Sequence, residues 1–331
     1  MPDSPTEPQS CQQQFARLRD ELSECVIGQP ELVDRLLIAL LADGHLLVEG
    51  APGLAKTTAI KELARRIEGD FHRVQFTPDL LPADLTGTEV YRPEEGRFEF
   101  QPGPVFHNLL LADEVNRAPA KVQSALLEAM GERQVSVGRA TYPLPRLFLV
   151  MATQNPIEQE GTYPLPEAQL DRFLLHVRIG YPAAGAETEI LRLARERALD
   201  ENSGVPAVAP LRISQETIFN ARREVLNLHL APALERYLVE LVLATRGVSE
   251  YGRAVAERIA YGASPRGSIA LERCARAHAW LAGRDYVSPQ DIHAVAVDVL
   301  RHRVLMSFEA EAEGIDSASA VNDLLAQVPA P

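Results

Sequence analysis

Short apolar runs alternate with helical patterns along the first half of the chain. The runs predict buried strands at residues 46–48, 74–76, 109–112, 147–152 and 174–179. Residues at helical spacing lie between most of them, for example Val122, Leu126 and Ala129, with Gly131 as the expected helix cap. This alternation predicts an α/β fold with a parallel sheet covered on both faces. Ligands of such sheets bind at the carboxyl ends of the strands.

The pattern changes near residue 182, beyond which helical spacing dominates. Helices are predicted at 190–197, 215–228, 233–246, 265–281 and 289–301, with an irregular stretch at 200–213. Two of these helices begin with a Ser-Pro pair, at Ser264-Pro265 and Ser288-Pro289. The serine hydroxyl can accept a hydrogen bond from a free backbone N–H of the first turn, and proline fits the first helical position. Ser288 with Asp291 also approximates a capping box. We predict an α/β domain over residues 1–182 and an all-helical domain over 183–331.

Two segments of the first domain interrupt the simple alternation and predict β-hairpins. One covers residues 88–100 around the turn at 93–96, and the other covers 134–142 around Gly138-Arg139. Both are additions to a minimal nucleotide-binding sheet. They are either surface decoration or projections toward a partner, and the sequence leaves both interpretations open.

A phosphate-binding loop is the strongest motif of the chain, because it follows a predicted strand and opens a helical pattern. Small residues let backbone N–H groups face a phosphate, Lys56 would reach the β- and γ-phosphates, and the Thr57 hydroxyl could ligate Mg²⁺. By itself such a segment could be a surface turn. Its predicted nucleotide-binding residues are Gly50, Ala51, Pro52, Gly53, Leu54, Ala55, Lys56, Thr57 and Thr58. Ala55 stands where the motif usually has glycine, so we expect it to adopt a helical or extended φ.

A pair of acids, Asp113-Glu114, ends the predicted strand at 109–112. One carboxylate would support the Mg²⁺ shell and the other would polarise water. Alone, two acids at a strand end are usually just solvated. Together with the phosphate loop, they predict that the chain binds and splits a nucleoside triphosphate.

Three further polar residues occupy positions that suit this chemistry. Asn155 follows a strand that we expect to lie beside the acids, where an amide can orient water, although Asn155-Pro156 could also be a plain turn. Arg172 is either an arginine finger or a surface partner of Asp171. Arg266 opposes the dipole of its own helix, so a compensating anion such as a nucleotide phosphate is expected.

Composition narrows the setting of this chemistry. With 331 residues, 46% hydrophobic and 24% charged, the chain is typical of a soluble globular protein. It has no apolar run long enough to span a membrane and no pattern of a secretion signal at its start. Three cysteines without metal spacing fit a reducing cytoplasm. A net charge of −13 argues against a large nucleic-acid-binding face.

The order of these motifs resembles an AAA+ ATPase with a three-layer nucleotide domain and a helical lid. Longer strings resemble the MoxR family more narrowly: QFTPDLLP (75–82), GPVF (103–106), DEVNRA (113–118), ATQNP (152–156) and EGTYPLPEAQLDRF (160–173). The similarity covers about residues 26–303.

The resemblance implies roles at the matching positions. Val26, Ile27 and Gly28 would pack on adenine, so ATP is the expected nucleotide, with Mg²⁺ held through Thr57 and Asp113. Glu114 would activate water, Asn155 and Arg266 would sense the nucleotide, and Arg172 would act on a neighbouring subunit. The two hairpins would be the family's insertions.

The resemblance further implies a hexameric ring that remodels protein partners, with adaptors carrying von Willebrand factor A domains. Two alternatives stay open. One is a nucleic-acid motor related to the minichromosome-maintenance helicases, which the acidic charge disfavours. The other is a magnesium-chelatase-like subunit for metal insertion.

Overall fold

The computed structural model describes residues 10–156, 161–203 and 212–331. Its strands are β1 (Leu46–Glu49), β2 (Phe71–Gln75), β3 (Gly87–Arg92), β4 (Arg97–Pro102), β5 (Leu109–Asp113), β6 (Gln134–Val137), β7 (Ala140–Pro143), β8 (Leu149–Gln154), β9 (Leu175–Arg178), β10 (Ile259–Tyr261) and β11 (Leu305–Met306).

Helices surround and follow the strands. They are α1 (Cys11–Cys25), α2 (Pro30–Leu41), α3 (Lys56–Arg66), α4 (Pro82–Thr86), α5 (Ala120–Glu132), α6 (Glu167–Leu170), α7 (Ala184–Ser203), α8 (Gln215–Asn227), α9 (Pro232–Thr245), α10 (Arg253–Ala256), α11 (Pro265–Leu281), α12 (Pro289–Leu300), α13 (Phe308–Ala312) and α14 (Ser317–Gln327).

The five predicted strands form one parallel sheet in the order β2-β5-β8-β1-β9. Alternate side chains of these strands enter two different apolar clusters: Leu109 and Leu111 join the cluster with α2 and α3, whereas Leu110 and Ala112 join the cluster with α5. Because both faces of the sheet are buried, the sequences of its strands are nearly continuous runs of apolar residues. The predicted three-layer α/β arrangement is confirmed.

The helical region beyond β9 packs onto the same core as the sheet. Buried residues of α8, α9, α11, α12 and α14 continue the cluster that covers one sheet face. Ser264 caps α11 through the backbone N–H of Arg266, and Ser288 forms a capping box with Asp291, as their sequence pattern predicts.

Three details differ from the sequence-based predictions. The helical region is not all-helical, because β10 and β11 form a short antiparallel pair. The stretch predicted as irregular begins inside α7, and its residues 204–211 lie outside the described residues. Gly131 does not end α5: the helix continues to Glu132, and Arg133 adopts the left-handed cap with a φ of 52°. The absence of a side chain at Gly131 leaves space for the guanidinium of Arg172, since a Cβ atom there would lie 2.9 Å from its Nη1.

Both predicted hairpins form, as β3 with β4 and β6 with β7. They contact each other through the rings of Phe100 and Tyr142, which stack with centroids 3.9 Å apart. Tyr91 and Phe98, whose rings lie 5.2 Å apart, are 51% and 66% exposed on the first hairpin. The two hairpins therefore form one joint projection that carries exposed aromatic side chains.

Candidate active site

The phosphate-binding loop joins the carboxyl end of β1 to α3, which is the strand–loop–helix context that the motif requires. A Cβ atom on Gly50 would lie 2.5 Å from Cγ1 of Ile179, so the loop can pass this point only without a side chain. The first turn of α3 leaves backbone N–H groups without intrahelical partners, and these groups favour an anion.

Ala55 has a backbone conformation that the sequence did not predict. Its φ is 58° and its ψ is 13°, so the expectation of a helical or extended φ is wrong. The left-handed region costs an alanine roughly 1–2 kcal/mol, because Cβ approaches the following carbonyl oxygen. The turn that leads from the loop into α3 requires this conformation, and the surrounding packing holds it.

Lys56 lies with its ammonium group inside the loop. Its Nζ donates hydrogen bonds to the carbonyl oxygens of Gly50 at 2.5 Å and Gln154 at 3.3 Å. Burial lowers the pKa of Lys56, and the charges of Asp113 and Glu114 oppose that shift. A phosphate in the loop would further compensate this buried cation.

Asp113, at the end of β5, is held by two neighbours. Its Oδ1 accepts from the Thr153 hydroxyl at 2.5 Å, and its Oδ2 accepts from Nη2 of Arg73 at 2.7 Å. The carboxylate is therefore fixed across three adjacent strands, β2, β5 and β8.

Glu114 follows in a left-handed conformation with a φ of 56°. Its backbone N–H donates to the Thr153 hydroxyl at 2.9 Å. Its Oε2 accepts from Nε2 of Gln75 at 2.8 Å and from Nη1 of Arg117 at 2.9 Å. Strained backbone of this kind concentrates at functional sites.

Asn155 comes directly after β8 and is 6% exposed. Because β8 lies between β5 and β1, Asn155 is placed between the acids and the phosphate loop. This is the placement that the sequence predicts for a residue that orients water. The role itself remains a prediction.

A cavity of about 330 Å³ opens beside the phosphate loop. It has the size of a small-molecule site. Of the three residues predicted to pack on adenine, Ile27 lines this cavity, Val26 is 2% exposed and lies in the core, and Gly28 borders a neighbouring cavity. Their contact with adenine stays a prediction. The cavity residues are Cys25, Ile27, Gln29, Gly53, Leu54, Ala55, Lys56, Thr57, Thr58, Pro182, Ile190, Leu193 and Ala194.

Arg172 and Arg266 do not line that cavity. They share a separate pocket, which we call the arginine pocket, lined by Asp43, Gly44, His45, Met130, Gly131, Arg133, Asp171, Arg172, Phe173, Leu174, Arg266, Ile269, Ala270, Arg273 and Arg303. Gly44 and His45 precede β1, whereas the phosphate loop follows it. The two pockets are thus separated by the length of β1, about 13 Å at the usual rise per residue.

The alternative prediction that Arg172 pairs with Asp171 is wrong. Nη1 of Arg172 donates to the carbonyl oxygen of Leu127 in α5. The Asp171 carboxylate accepts instead from Arg303 at 2.8 Å and from Ser264 at 2.9 Å. Adjacent residues of this turn therefore face different neighbours.

Sequence reasoning missed several residues of the site. Arg73 and Gln75 were not singled out, although the end of β2 must lie beside the end of β5 once the two strands are neighbours in a parallel sheet. One face of α7 carries Ile190, Leu193 and Ala194, which line the cavity. No functional role of this helix is predicted from the sequence. Only the packing of α7 against the loop reveals this role.

Among the described residues, no helix is long and apolar enough to cross a bilayer. The same residues contain no cluster of three or more acidic, histidine or cysteine side chains that could hold a metal. That is compatible with Mg²⁺ bound as predicted, because Mg²⁺ usually takes one or two protein ligands and completes its shell with phosphates and water.

Comparison with known proteins places the chain in a family. Residues 45–175 match the model of the ATPase family associated with various cellular activities (AAA), and residues 252–324 match the AAA lid domain. Chaperone MoxR1 of Mycobacterium tuberculosis is 47% identical over 94% of this chain and 81% of its own length. Protein MoxR of Paracoccus denitrificans is 36% identical over 96% of this chain and 97% of its own.

A solved structure agrees with these matches. The crystal structure of a candidate ATPase from Cytophaga hutchinsonii superimposes with a TM-score of 0.88 at 46% identity, covering 97% of this chain and 96% of that one. The relatives and this solved structure are thus similar to the chain over almost its whole length. The chain belongs to the MoxR family of AAA+ ATPases.

Proposed function

We propose that this protein is a Mg²⁺-dependent ATPase that hydrolyses ATP between the subunits of a ring and uses the energy to remodel protein clients. One observation carries the assembly part of the proposal. The phosphate loop and the arginine pocket lie at opposite ends of β1, so Arg172 and Arg266 line a pocket separate from the cavity beside their own subunit's phosphate loop.

The charge of the arginine pocket supports an anion from outside the subunit. Arg172, Arg266 and Arg273 form no side-chain ion pair with the described residues, in a chain whose net charge is −13. Uncompensated cations that face one cavity repel each other, and an incoming triphosphate would relieve that repulsion. A second copy of this chain, with nucleotide in its phosphate loop, supplies that anion.

The residues around the phosphate loop fit the chemistry of phosphoryl transfer. The Thr57 hydroxyl and the Asp113 carboxylate are oxygen ligands of the type that Mg²⁺ takes, and bound Mg²⁺ would neutralise charge on the phosphates. Lys56 would bind phosphate oxygens, Glu114 would orient and deprotonate water, and Asn155 would hold that water in line. ATP is the proposed nucleotide because Ile27 and the apolar residues of α7 flank the loop.

A protein client fits the projection formed by the two hairpins better than a nucleic acid does. Arg92 pairs with Glu99 at 2.8 Å and Arg97 pairs with Glu95, so these cations are already neutralised. Exposed Tyr91 and Phe98 instead offer apolar contact.

We further propose a hexamer in the cytoplasm, with adaptors carrying von Willebrand factor A domains. Stimulation by single-stranded DNA would favour the helicase alternative, and dependence on a tetrapyrrole would favour the chelatase alternative.

Replacing the residue that activates water tests the proposal. Glu114→Gln keeps the side-chain shape and should retain ATP binding, while turnover falls by about 100-fold to 10,000-fold because the general base is lost. Equilibrium binding of labelled ATP and phosphate release measure the two effects. Near-normal turnover would remove Glu114 from this role.

Mixing two inactive variants tests the shared site. Arg172→Ala subunits lack the finger and Glu114→Gln subunits lack the base, but a junction between them can combine an intact Glu114 with an intact Arg172. We expect each variant to be inactive alone and a mixture to regain phosphate release. If no ratio of the two regains activity, hydrolysis does not use Arg172 in trans.

A further inference from the structure

The carboxylate of Asp171 lies at a junction between three segments of the chain. Asp171 directly precedes Arg172, in the turn between α6 and β9. Its Oδ1 accepts from Nε of Arg303 at 2.8 Å, and its Oδ2 accepts from the Ser264 hydroxyl at 2.9 Å. One side chain of the sheet domain thus contacts the beginning of α11 and the segment after α12.

Arg303 holds the backbone of this turn as well as the carboxylate. It is 8% exposed, and its guanidinium donates to the carbonyl oxygens of Phe173 at 2.6 Å and Leu174 at 3.2 Å. The neighbouring His302 contacts the Phe173 carbonyl oxygen at 3.0 Å through Nε2. The segment that carries Arg172 is therefore fixed on one side by the lid.

Ser264 connects the same carboxylate to Arg266. Its hydroxyl donates to Asp171 and accepts from the backbone N–H of Arg266 at 3.2 Å, as the cap of α11. The backbones of Arg172 and Arg266 are thus linked through Asp171 and one hydroxyl group. A short chain of hydrogen bonds of this kind fixes the relative position of two side chains that must reach one ligand.

We propose that Asp171 is a positioning residue that sets Arg172 and Arg266 in one fixed relation, so that both meet the same nucleotide of the neighbouring subunit. The inference rests on the proposed function, in which these arginines act in trans. Ser264 and Arg303 support Asp171 from the lid, so a shift of the lid would move both arginines together. Asp171 itself contacts no nucleotide.

The first experiment measures Asp171→Asn, which keeps the side-chain size and removes the charge that Arg303 and Ser264 hold. Turnover should fall by about 100-fold, the loss expected when catalytic groups are displaced by about 1 Å. Affinity for ATP should stay within about twofold, because the phosphate loop lies at the other end of β1. Adding Arg172→Ala to Asp171→Asn should cost less than the product of the two separate losses.

Mixing separates this inference from the proposed function. Asp171→Asn subunits mixed with Glu114→Gln subunits should regain phosphate release, as Arg172→Ala subunits do. Two outcomes would overturn the positioning role of Asp171 and leave hydrolysis in trans intact. One is that mixing rescues Arg172→Ala but not Asp171→Asn. The other is that Asp171→Asn alone hydrolyses ATP at the normal rate. If Arg172→Ala is not rescued, the proposed function itself fails.

Matched variants exclude a general loss of folding. Asp298→Asn, on α12 and away from Asp171, breaks the buried pair of Asp298 with Arg35 at 2.6 Å. Turnover should remain near normal in the population that stays folded. Ser264→Thr keeps the hydroxyl and should retain turnover, whereas Ser264→Ala should lower it by about tenfold without weakening ATP binding. Equal turnover of the two Ser264 variants would overturn the proposal even if Asp171→Asn failed to fold.

Discussion

The phosphate-loop cavity and the arginine pocket lie at the two ends of β1 and differ in how their charges are balanced. Beside the loop, the Lys56 ammonium is close to the carboxylates of Asp113 and Glu114. Asp113 and Glu114 also pair with Arg73 and Arg117, so three cations share two carboxylates beside the loop. In the arginine pocket, Asp43 is already paired with Arg133 and Arg222. Five arginines of this pocket share the carboxylates of Asp43 and Asp171, so the excess of cations is larger there.

Under the proposed function, this difference means that one subunit carries two incomplete parts of a site. Under the same proposal, the phosphate-loop cavity holds a nucleotide in an isolated subunit, because its groups are preorganised around the loop. The cationic pocket gains an anion only when another molecule brings one. In the proposed ring, hydrolysis depends on assembly, which couples the chemistry to the geometry of the ring.

Removing one cation from each pocket should have the largest effect and should separate ATP affinity from turnover. Lys56→Ala should weaken ATP binding by about 100-fold or more, because the charge that meets the phosphates is lost. Arg266→Ala is the matched control and should keep the affinity while turnover falls. Isothermal titration with a non-hydrolysable ATP analogue measures both. Weaker binding in Arg266→Ala at concentrations where the protein is monomeric would place Arg266 on its own subunit's nucleotide.

Acid should affect the two ends of β1 at different pH. Burial, followed by the charge of Arg133, lowers the pKa of His45 from 6.5 to about 4, and its Nδ1 accepts from the Val150 N–H at 3.0 Å. A hydrogen bond from His176 and the charge of Arg178 lower the pKa of Glu49 from 4.5 to about 2. Between pH 7 and pH 5, Glu49 therefore stays ionised in the folded chain and mostly ionised in the unfolded chain, so it changes the free energy of unfolding little over this range, whereas His45 titrates in the unfolded chain.

The sign for His45 follows from its lowered pKa. The unfolded chain binds a proton below 6.5 that the folded chain refuses until about 4, so the contribution to stability is complete above 6.5 and is lost as the pH falls toward 4. From pH 7 to pH 5 the free energy of unfolding should drop by about 2 kcal/mol through this residue. Urea unfolding of the wild type and of His45→Asn, which retains an acceptor near Nδ1, measures the difference. Parallel pH dependence of the two proteins would contradict the assignment.

Of the changes considered, replacing Ala55 in the phosphate loop should have the smallest effect, and it should act on the free energy of unfolding. Ala55→Gly removes the strain of the left-handed conformation, but glycine gains about 0.4–1 kcal/mol of unfolded-state entropy. The free energy of unfolding should therefore change by less than about 1 kcal/mol. Gly53→Ala is the matched comparison, because its φ of 83° suits only glycine while its surroundings are open, and it should destabilise by roughly 1 kcal/mol. Urea unfolding and ATP binding measure both, and a larger loss in Ala55→Gly would show that the Ala55 methyl group packs.

Local sequence patterns are enough to predict the phosphate loop, the acids at the end of β5 and the helix caps. Gly50, Lys56 and Thr57 could be identified because a phosphate loop requires small residues and a helix start within a few positions. Asp113 and Glu114 were found because the apolar run before them marks a buried strand. Ser264 and Ser288 were found because helix caps have a local signature. Each of these depends on neighbours in the chain.

Which distant residues share a pocket depends on the packing of helices against the sheet and is not predicted by local sequence. Arg172 and Arg266 are 94 positions apart, and nothing in their local sequence places them together or away from the phosphate loop. The same holds for Arg303 at Asp171 and for α7 beside the nucleotide cavity. The physical reason is that backbone requirements act over a few residues, whereas the meeting of these segments follows from how the helices pack against the sheet and bury their apolar faces.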